Sequence, residues 1–156
     1  MPFDPRDFLE LSEQLHTDQR YSHIREAVLR TTISRAYYAV FLIIRELVRE
    51  KLSNTQLIYP FEDVSTSGLI HSCIKEILSR IDRYLGYVYG KLFMMRKRAD
   101  YELNITIADK DAAEAIGVAR KLMGSLTKIH GLMEISKISL IILDYYQKLQ
   151  KLRRGS

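Results

Sequence analysis

Hydrophobic residues recur every three or four positions over most of this chain, which is the spacing of one face of an α-helix. The longest such pattern runs from His23 to Leu52 without glycine or proline and predicts a helix of about 45 Å. Its predicted buried positions are Leu29, Ile33, Ala36, Tyr37, Val40, Phe41, Ile44, Leu47, Val48 and Leu52. A second, more polar stripe of the same helix comprises Thr31, Arg35, Tyr38, Leu42, Arg45 and Arg49. This stripe is either a solvated edge or the floor of a binding site.

Shorter patterns of the same period predict five further helices, and no segment alternates in the manner of a β-strand. Their predicted ranges are 4–16, 68–80, 81–103, 107–130 and 134–153, with a loop at 53–67. Thr106, with Asp109 three residues later, is the predicted N-cap of the helix at 107–130. Gly86 and Gly90 indicate a close approach to a neighbouring helix. The prediction is an all-α, up-and-down helical bundle of about five to six helices.

Length and composition predict a single soluble domain over residues 1–156. Charged residues make up 28% and hydrophobic residues 47%, a globular balance that argues against disorder. The one cysteine, Cys73, excludes an internal disulfide and suits a reducing compartment. The longest apolar run, 37–44, is far shorter than the ~20 residues that span a bilayer, and the acidic N-terminus lacks a signal-peptide pattern. We therefore expect a cytoplasmic protein without a membrane segment.

Several common kinds of chemistry are missing from the sequence. There is no glycine-rich phosphate loop, and the four histidines lie far apart without a cysteine pair, so neither a cofactor nor a metal site is predicted. The net charge of +5 is compatible with nucleic-acid binding but equally common in proteins without that role.

The segment from Arg96 to Tyr101, R-K-R-A-D-Y, places two arginines, a carboxylate and a phenol within two helical turns. Arg96 and Asp100 are four residues apart, so they project from the same helix face. One interpretation is an ion pair at a helix terminus. The other is a site in which an arginine binds phosphate and its neighbours serve acid–base chemistry. The spacing does not decide whether Arg96 or Arg98 faces such a site.

Two motifs together resemble the HEPN superfamily (higher eukaryotes and prokaryotes nucleotide-binding), in its small prokaryotic branch. The first is R-A-Y-Y-A at 35–39, and the second is R-x-x-A-D-Y at 96–101. The resemblance covers a core of about 5–130 and leaves the helix at 134–153 as an addition. It implies a helical bundle that pairs as a homodimer. Many members are ribonucleases of toxin–antitoxin, abortive-infection or CRISPR systems, and others bind RNA or nucleotide beside a minimal nucleotidyltransferase.

The resemblance also implies roles for individual residues. Nuclease members cleave RNA without metal, using an Arg-x4-6-His motif that forms a composite site across the dimer. In this chain Arg96 takes the arginine position and Asp100 the acidic one, while Tyr101 stands where the histidine is expected. A phenol, with a pKa near 10 in model peptides, is a poor base at neutral pH, but it can donate a proton, bind phosphate or stack a base. The implied catalytic residues are Arg96, Asp100 and Tyr101. The RNA- or nucleotide-binding candidates are Arg35, Tyr38, Arg98 and His71.

Three functions fit these observations. The first is a HEPN-like RNA- or nucleotide-binding protein, the toxin-like member of a pair whose antitoxin is of the nucleotidyltransferase type. The second is an active metal-independent ribonuclease. The third is a non-catalytic dimeric scaffold, because the predicted helix at 134–153 carries apolar residues around much of its circumference.

Overall fold

A computed structural model describes residues 3–155, and the regular secondary structure of these residues is entirely helical. The predicted all-α fold is confirmed. The helices are α1 Arg6–Thr17, α2 Arg25–Leu52, α3 Ile58–Ser65, α4 Ile70–Ile81, α5 Arg83–Tyr101, α6 Asp109–Gly124, α7 Leu126–Leu132 and α8 Ile135–Gly155. A 3-10 segment, Gln19–Ile24, precedes α2.

The expected count of five to six helices is wrong, because residues 3–155 contain eight α-helices. One addition is α3, which lies inside the predicted loop at 53–67 and buries Phe61 and Val64 completely. Pro60 does not prevent this helix, since it sits in the first turn, where its missing N–H would have no helical partner. The other difference is that the predicted helix at 107–130 divides at Ser125 into α6 and α7.

The predicted cap of α6 is displaced by two residues. Ala108, not Thr106, is the N-cap, and the carboxylate of Asp111 accepts a hydrogen bond from the Ala108 N–H at 2.8 Å. The N–H of Ile107 instead donates to Glu26 at 3.5 Å, and the Ile107 side chain is buried. These contacts hold residue 107 outside the helix, so the helix starts at Asp109.

The helices pack as two compact units. The first unit ends at Ile43 and resumes from Val88 to Ser125. It contains α1, the first part of α2, most of α5 and α6, and α1 packs against α6. The buried Ser12 donates to the carbonyl of Thr32 at 2.9 Å, and the hydroxyls of the fully buried Tyr37 and Tyr89 lie 2.9 Å apart. This packing sets α2 and α5 side by side where their two motifs occur.

The second unit covers Ile44–Tyr87 and begins again at Leu126. In it α8 packs against both α3 and α4, burying Ile138, Ile141, Ile142, Tyr145 and Leu149. The predicted close approach is confirmed at Gly86, where an added Cβ would lie 2.2 Å from the Oγ of Ser79 on α4. Cys73 is fully buried, and burial raises the pKa of its thiol to about 12. The single domain over 1–156 stays a prediction.

Taken with its preceding 3-10 segment, α2 is long and apolar enough, by length and composition only, to cross a membrane. However, 67% of its apolar window is buried inside the protein. Such burial is typical of the core helix of a soluble protein. A cytoplasmic location stays a prediction.

Candidate functional site

An open groove of about 500 Å³ lies in the first unit between α2 and the end of α5. It is lined by Ala27, Arg30, Thr31, Ser34, Arg35 and Tyr38 of α2 and by Arg96, Ala99, Asp100 and Tyr101 of α5. The R-A-Y-Y-A and R-x-x-A-D-Y motifs therefore contribute to one surface. Part of the predicted polar stripe of α2 is the wall of this groove.

Arg96 is the buried cation of the groove, with 9% of its surface exposed. Its Nη2 donates to the hydroxyl of Tyr38 at 2.9 Å and to that of Tyr101 at 3.3 Å. The same two rings lie 5.3 and 5.2 Å from its guanidinium carbon. Burial opposes its charge, but interactions with Tyr38, Asp100 and Tyr101 outweigh burial and raise the pKa of Arg96. Arg96 is therefore a permanent positive charge held in a fixed orientation.

Asp100 balances the charge of Arg96. Its Oδ2 lies 2.7 Å from the Nε of Arg96, although the N–H is not directed at the oxygen, so the contact is an ion pair without a hydrogen bond. The hydroxyl of Ser34 donates to the same oxygen at 3.4 Å. The ion pair that the spacing of these residues allowed is thus formed within α5, and the hydrogen bond from Ser34 connects it to α2.

Arg35 is the uncompensated cation of the groove. Its guanidinium carbon lies 4.9 Å from the centre of the Phe8 ring and 5.2 Å from that of Tyr38. Its Nε is buried without a hydrogen-bond acceptor, and no carboxylate among residues 3–155 forms an ion pair with it. Aromatic rings attract a cation through their quadrupole but leave its net charge in place. Arg35 therefore gives the groove a positive charge that an anionic ligand can neutralise.

Arg30 is a groove residue that the sequence did not reveal. It donates to the backbone carbonyls of Ala99 at 2.8 Å, Glu102 at 3.1 Å and Ile105 at 2.6 Å, and it pairs with Glu26 at 2.8 Å. The only sequence signal was the spacing of four residues between Glu26 and Arg30. That spacing indicates an ordinary surface pair and says nothing of the end of α5.

Two predicted binding residues lie elsewhere. Arg98 is exposed, 3.9 Å from the carboxylate of Glu102, and it lines a smaller pocket of about 230 Å³ with Met94 and Met95. Arg96 rather than Arg98 thus faces the groove. His71 belongs to the second unit, where it is half-buried on α4. The groove lining contains no histidine.

The part of the chain that the structure describes contains no candidate metal site. Within the described part of the chain, no group of three or more His, Cys, Asp or Glu side chains is placed to hold a metal ion. The chemical groups of the groove are guanidinium, phenol and hydroxyl groups and the carboxylate of Asp100.

Fold and groove together define an all-α protein with an arginine- and tyrosine-lined surface groove. No family model matches the chain, and no solved structure matches it. Uncharacterized protein MJ0628 of Methanocaldococcus jannaschii is 31% identical over 123 residues, which cover 73% of this chain and 72% of that protein. The chain belongs to the same family as this archaeal protein.

Proposed function

We propose that this chain is a HEPN-like protein that binds RNA or a nucleotide in the groove between α2 and α5. The observation that carries the proposal is Arg35, whose charge no carboxylate balances among residues 3–155, in the same groove as Arg96 and Tyr101. Arginine suits phosphate because its planar guanidinium can donate two parallel hydrogen bonds. A ligand phosphate on Arg35 would also occupy a position beside the tyrosines.

Tyr101 supplies a platform for a base. It is the last residue of α5, and 67% of its surface is exposed even though its hydroxyl contacts Arg96. Stacking of a base on an exposed aromatic ring contributes about 1–3 kcal/mol and tolerates any base. A cation for phosphate and a ring for a base, both in one groove, match the two parts of a nucleotide.

The proposed biological role is that of the toxin-like member of a toxin–antitoxin or nucleotidyltransferase-linked pair, acting as an up-and-down bundle and a homodimer. This role rests on the two motifs that resemble the superfamily. The open groove and the exposed ring of Tyr101 support it, because a nucleotidyltransferase-type antitoxin must reach the motif to cover it.

We favour binding over cleavage in this groove. A metal-independent ribonuclease needs a base for the 2′-hydroxyl, and the lining offers a carboxylate already paired with Arg96 and two phenols, but no imidazole. The test is incubation of the protein with total RNA in a metal chelator, beside an Arg96→Ala variant. Intact RNA in both reactions is expected. Cleavage by the wild type alone would make the protein a ribonuclease whose activity depends on Arg96.

Binding is tested with a fluorescent single-stranded RNA oligonucleotide and anisotropy at fixed salt. Arg35→Gln should weaken binding about 10- to 100-fold, since a hydrogen bond to a charged group contributes roughly 1.5–3 kcal/mol. The matched control is Arg80→Gln, which removes the same charge from an exposed position on α4. The affinity of this control should stay within about twofold of wild type. Equal losses in both variants would show that only net charge matters, and would refute the groove as the binding site.

The alternative function, a dimeric scaffold, requires an apolar surface that can form the dimer interface. On α8, Leu140 is 74% exposed and Leu143 39% exposed, whereas the opposite side of this helix is buried. If these side chains form a dimer seam, a Leu140→Glu variant should be monomeric in sedimentation equilibrium while the wild type is dimeric. Dimerisation that persists in the variant would exclude this face.

A further inference from the structure

We infer that Arg30 is the positioning residue of the groove: it fixes the end of α5 and thereby the places of Asp100 and Tyr101. The inference deepens the proposed function and rests on it for its binding readout. The claim that Arg30 fixes the end of α5 concerns the protein alone and is tested without any ligand.

The last carbonyls of α5 lack helical partners, as at any helix C-terminus. From α2, Arg30 donates to the carbonyl of Ala99 at 2.8 Å and, more weakly at 3.5 Å, to that of Arg98, which also accepts the N–H of Glu102. It also donates to the carbonyls of Glu102 and Ile105, in the segment that follows the helix. One guanidinium thus holds both the end of α5 and the start of its exit segment.

Glu26 fixes Arg30 in turn. A single oxygen of Glu26 accepts from Nε at 3.1 Å and from Nη2 at 2.8 Å of Arg30. The same oxygen accepts the N–H of Ile107 at 3.5 Å. The Arg30 side chain is only 15% exposed, so its orientation is fixed and it does not extend into solvent. Glu26 and Arg30 form a clamp that joins α2 to residues 98–107.

The clamp acts next to the site. Asp100 and Tyr101 directly follow Ala99, whose carbonyl accepts a hydrogen bond from Arg30 at 2.8 Å. Arg96 lies one turn earlier and is held separately by the hydroxyl of Tyr38. Loss of the clamp should therefore displace Asp100 and Tyr101 while leaving Arg96 on Tyr38. Lysine can replace Arg30 only in part, because its ammonium keeps the charge but is a point donor that cannot span several carbonyls in a plane.

The ligand-free test uses a fluorescent reporter, Leu103→Trp, in a chain that has no tryptophan of its own. Leu103 is 82% exposed and lies between two carbonyls that Arg30 binds. In the reporter background, Arg30→Gln should lower the fluorescence anisotropy of the tryptophan, because the segment opens locally. Arg30→Lys should give an intermediate change, and it keeps the test decisive if Arg30→Gln does not fold.

The matched control is Arg49→Gln. Arg49 is a half-buried arginine of the same helix, but it lies in the second unit and pairs with Glu46 and Glu62, not with residues 98–107. This variant should leave the reporter signal unchanged. A folded Arg30 variant with the parent's reporter anisotropy would overturn the inference.

RNA affinity is the second readout. Both Arg30 variants should bind the oligonucleotide about fivefold or more weakly than the parent, although neither substitution removes Arg35 or Tyr101. A reporter that responds while the affinity stays constant would overturn the positioning role. If the wild type itself does not bind RNA, the proposed function fails, and the reporter still decides whether Arg30 holds the end of α5.

Discussion

Replacement of Gly86 by alanine is the sharpest test of the packing between α4 and α5. A Cβ at this position would lie 2.2 Å from Oγ, 2.5 Å from Cα and 2.7 Å from N of Ser79. Carbon atoms pack best at about 3.5–4.0 Å, so one helix must shift by on the order of 1 Å. Overpacking of this kind costs about 1–3 kcal/mol, and the better helix propensity of alanine returns up to about 1 kcal/mol. We expect a net loss of about 2 kcal/mol in the free energy of unfolding, because two of the three contacts are with backbone.

Thermal and urea denaturation measure this loss, with Gly117→Ala as the matched control. Gly117 lies inside α6, and a Cβ there would meet nothing within 4 Å, so this variant should gain about 0.5–1 kcal/mol. At about 2–4 °C per kcal/mol for a chain of this size, Gly86→Ala should melt roughly 4–8 °C lower. A further Ser79→Ala change should not rescue it, since the Cα and N of residue 79 remain. Full rescue, or a Gly86→Ala protein as stable as the wild type, would refute the argument.

Two further predictions concern titratable groups of the second unit. Cys73 should react with a thiol reagent at pH 8 only as fast as the unit opens, because burial raises its pKa to about 12; rapid labelling of the native protein would contradict this. Burial opposes the charge of Glu46, but hydrogen bonds from Arg49 and Arg45 outweigh burial and lower the pKa of Glu46. This group therefore contributes stability above the unfolded pKa of about 4.3, and the contribution is lost as the pH falls below it. The melting temperature of Glu46→Gln should fall less between pH 5 and pH 3 than that of the wild type, and parallel curves would exclude Glu46 as a contributor.

The period of the apolar residues predicted most of the helices, but it did not predict the residues at which they begin and end. The stripe on α2 was correct at nine of ten positions, and Leu47 is half-buried instead of buried. By contrast, α3 has only two fully buried residues and a proline in eight positions, too little to distinguish it from a loop. The end of α6 at Gly124 and Ser125 interrupts an apolar pattern that continues through Leu126. Hydrophobic periodicity indicates which residues are buried, and buried residues can continue across the point where one helix ends and the next begins.

The groove was predictable in its residue types but not in its geometry. The spacing of Arg96 and Asp100 predicted their pairing, since both lie on one helix. The choice between Arg96 and Arg98 required the rotation of α5, which places Arg96 in the groove and Arg98 beside Met94 and Met95. Arg30 could not be found from sequence, because its partners on the backbone are about seventy residues away and a carbonyl carries no residue-type signal.

The sequence allowed two interpretations of Arg96, a structural ion pair and a phosphate ligand. In the structure Arg96 forms the ion pair, and Arg35 is the better candidate for the phosphate ligand. Arg96 is buried, paired with Asp100 and bound to two tyrosine hydroxyls, so most of its interaction energy is internal. Removing it would leave a half-buried carboxylate without its cation, and lost stability would then be confused with lost binding. Arg35 lies against aromatic rings and has no carboxylate in the described part of the chain, so its charge remains for a ligand. Substitution of Arg35 therefore probes binding most directly, while Arg96 and Arg30 determine the shape of the groove that Arg35 serves.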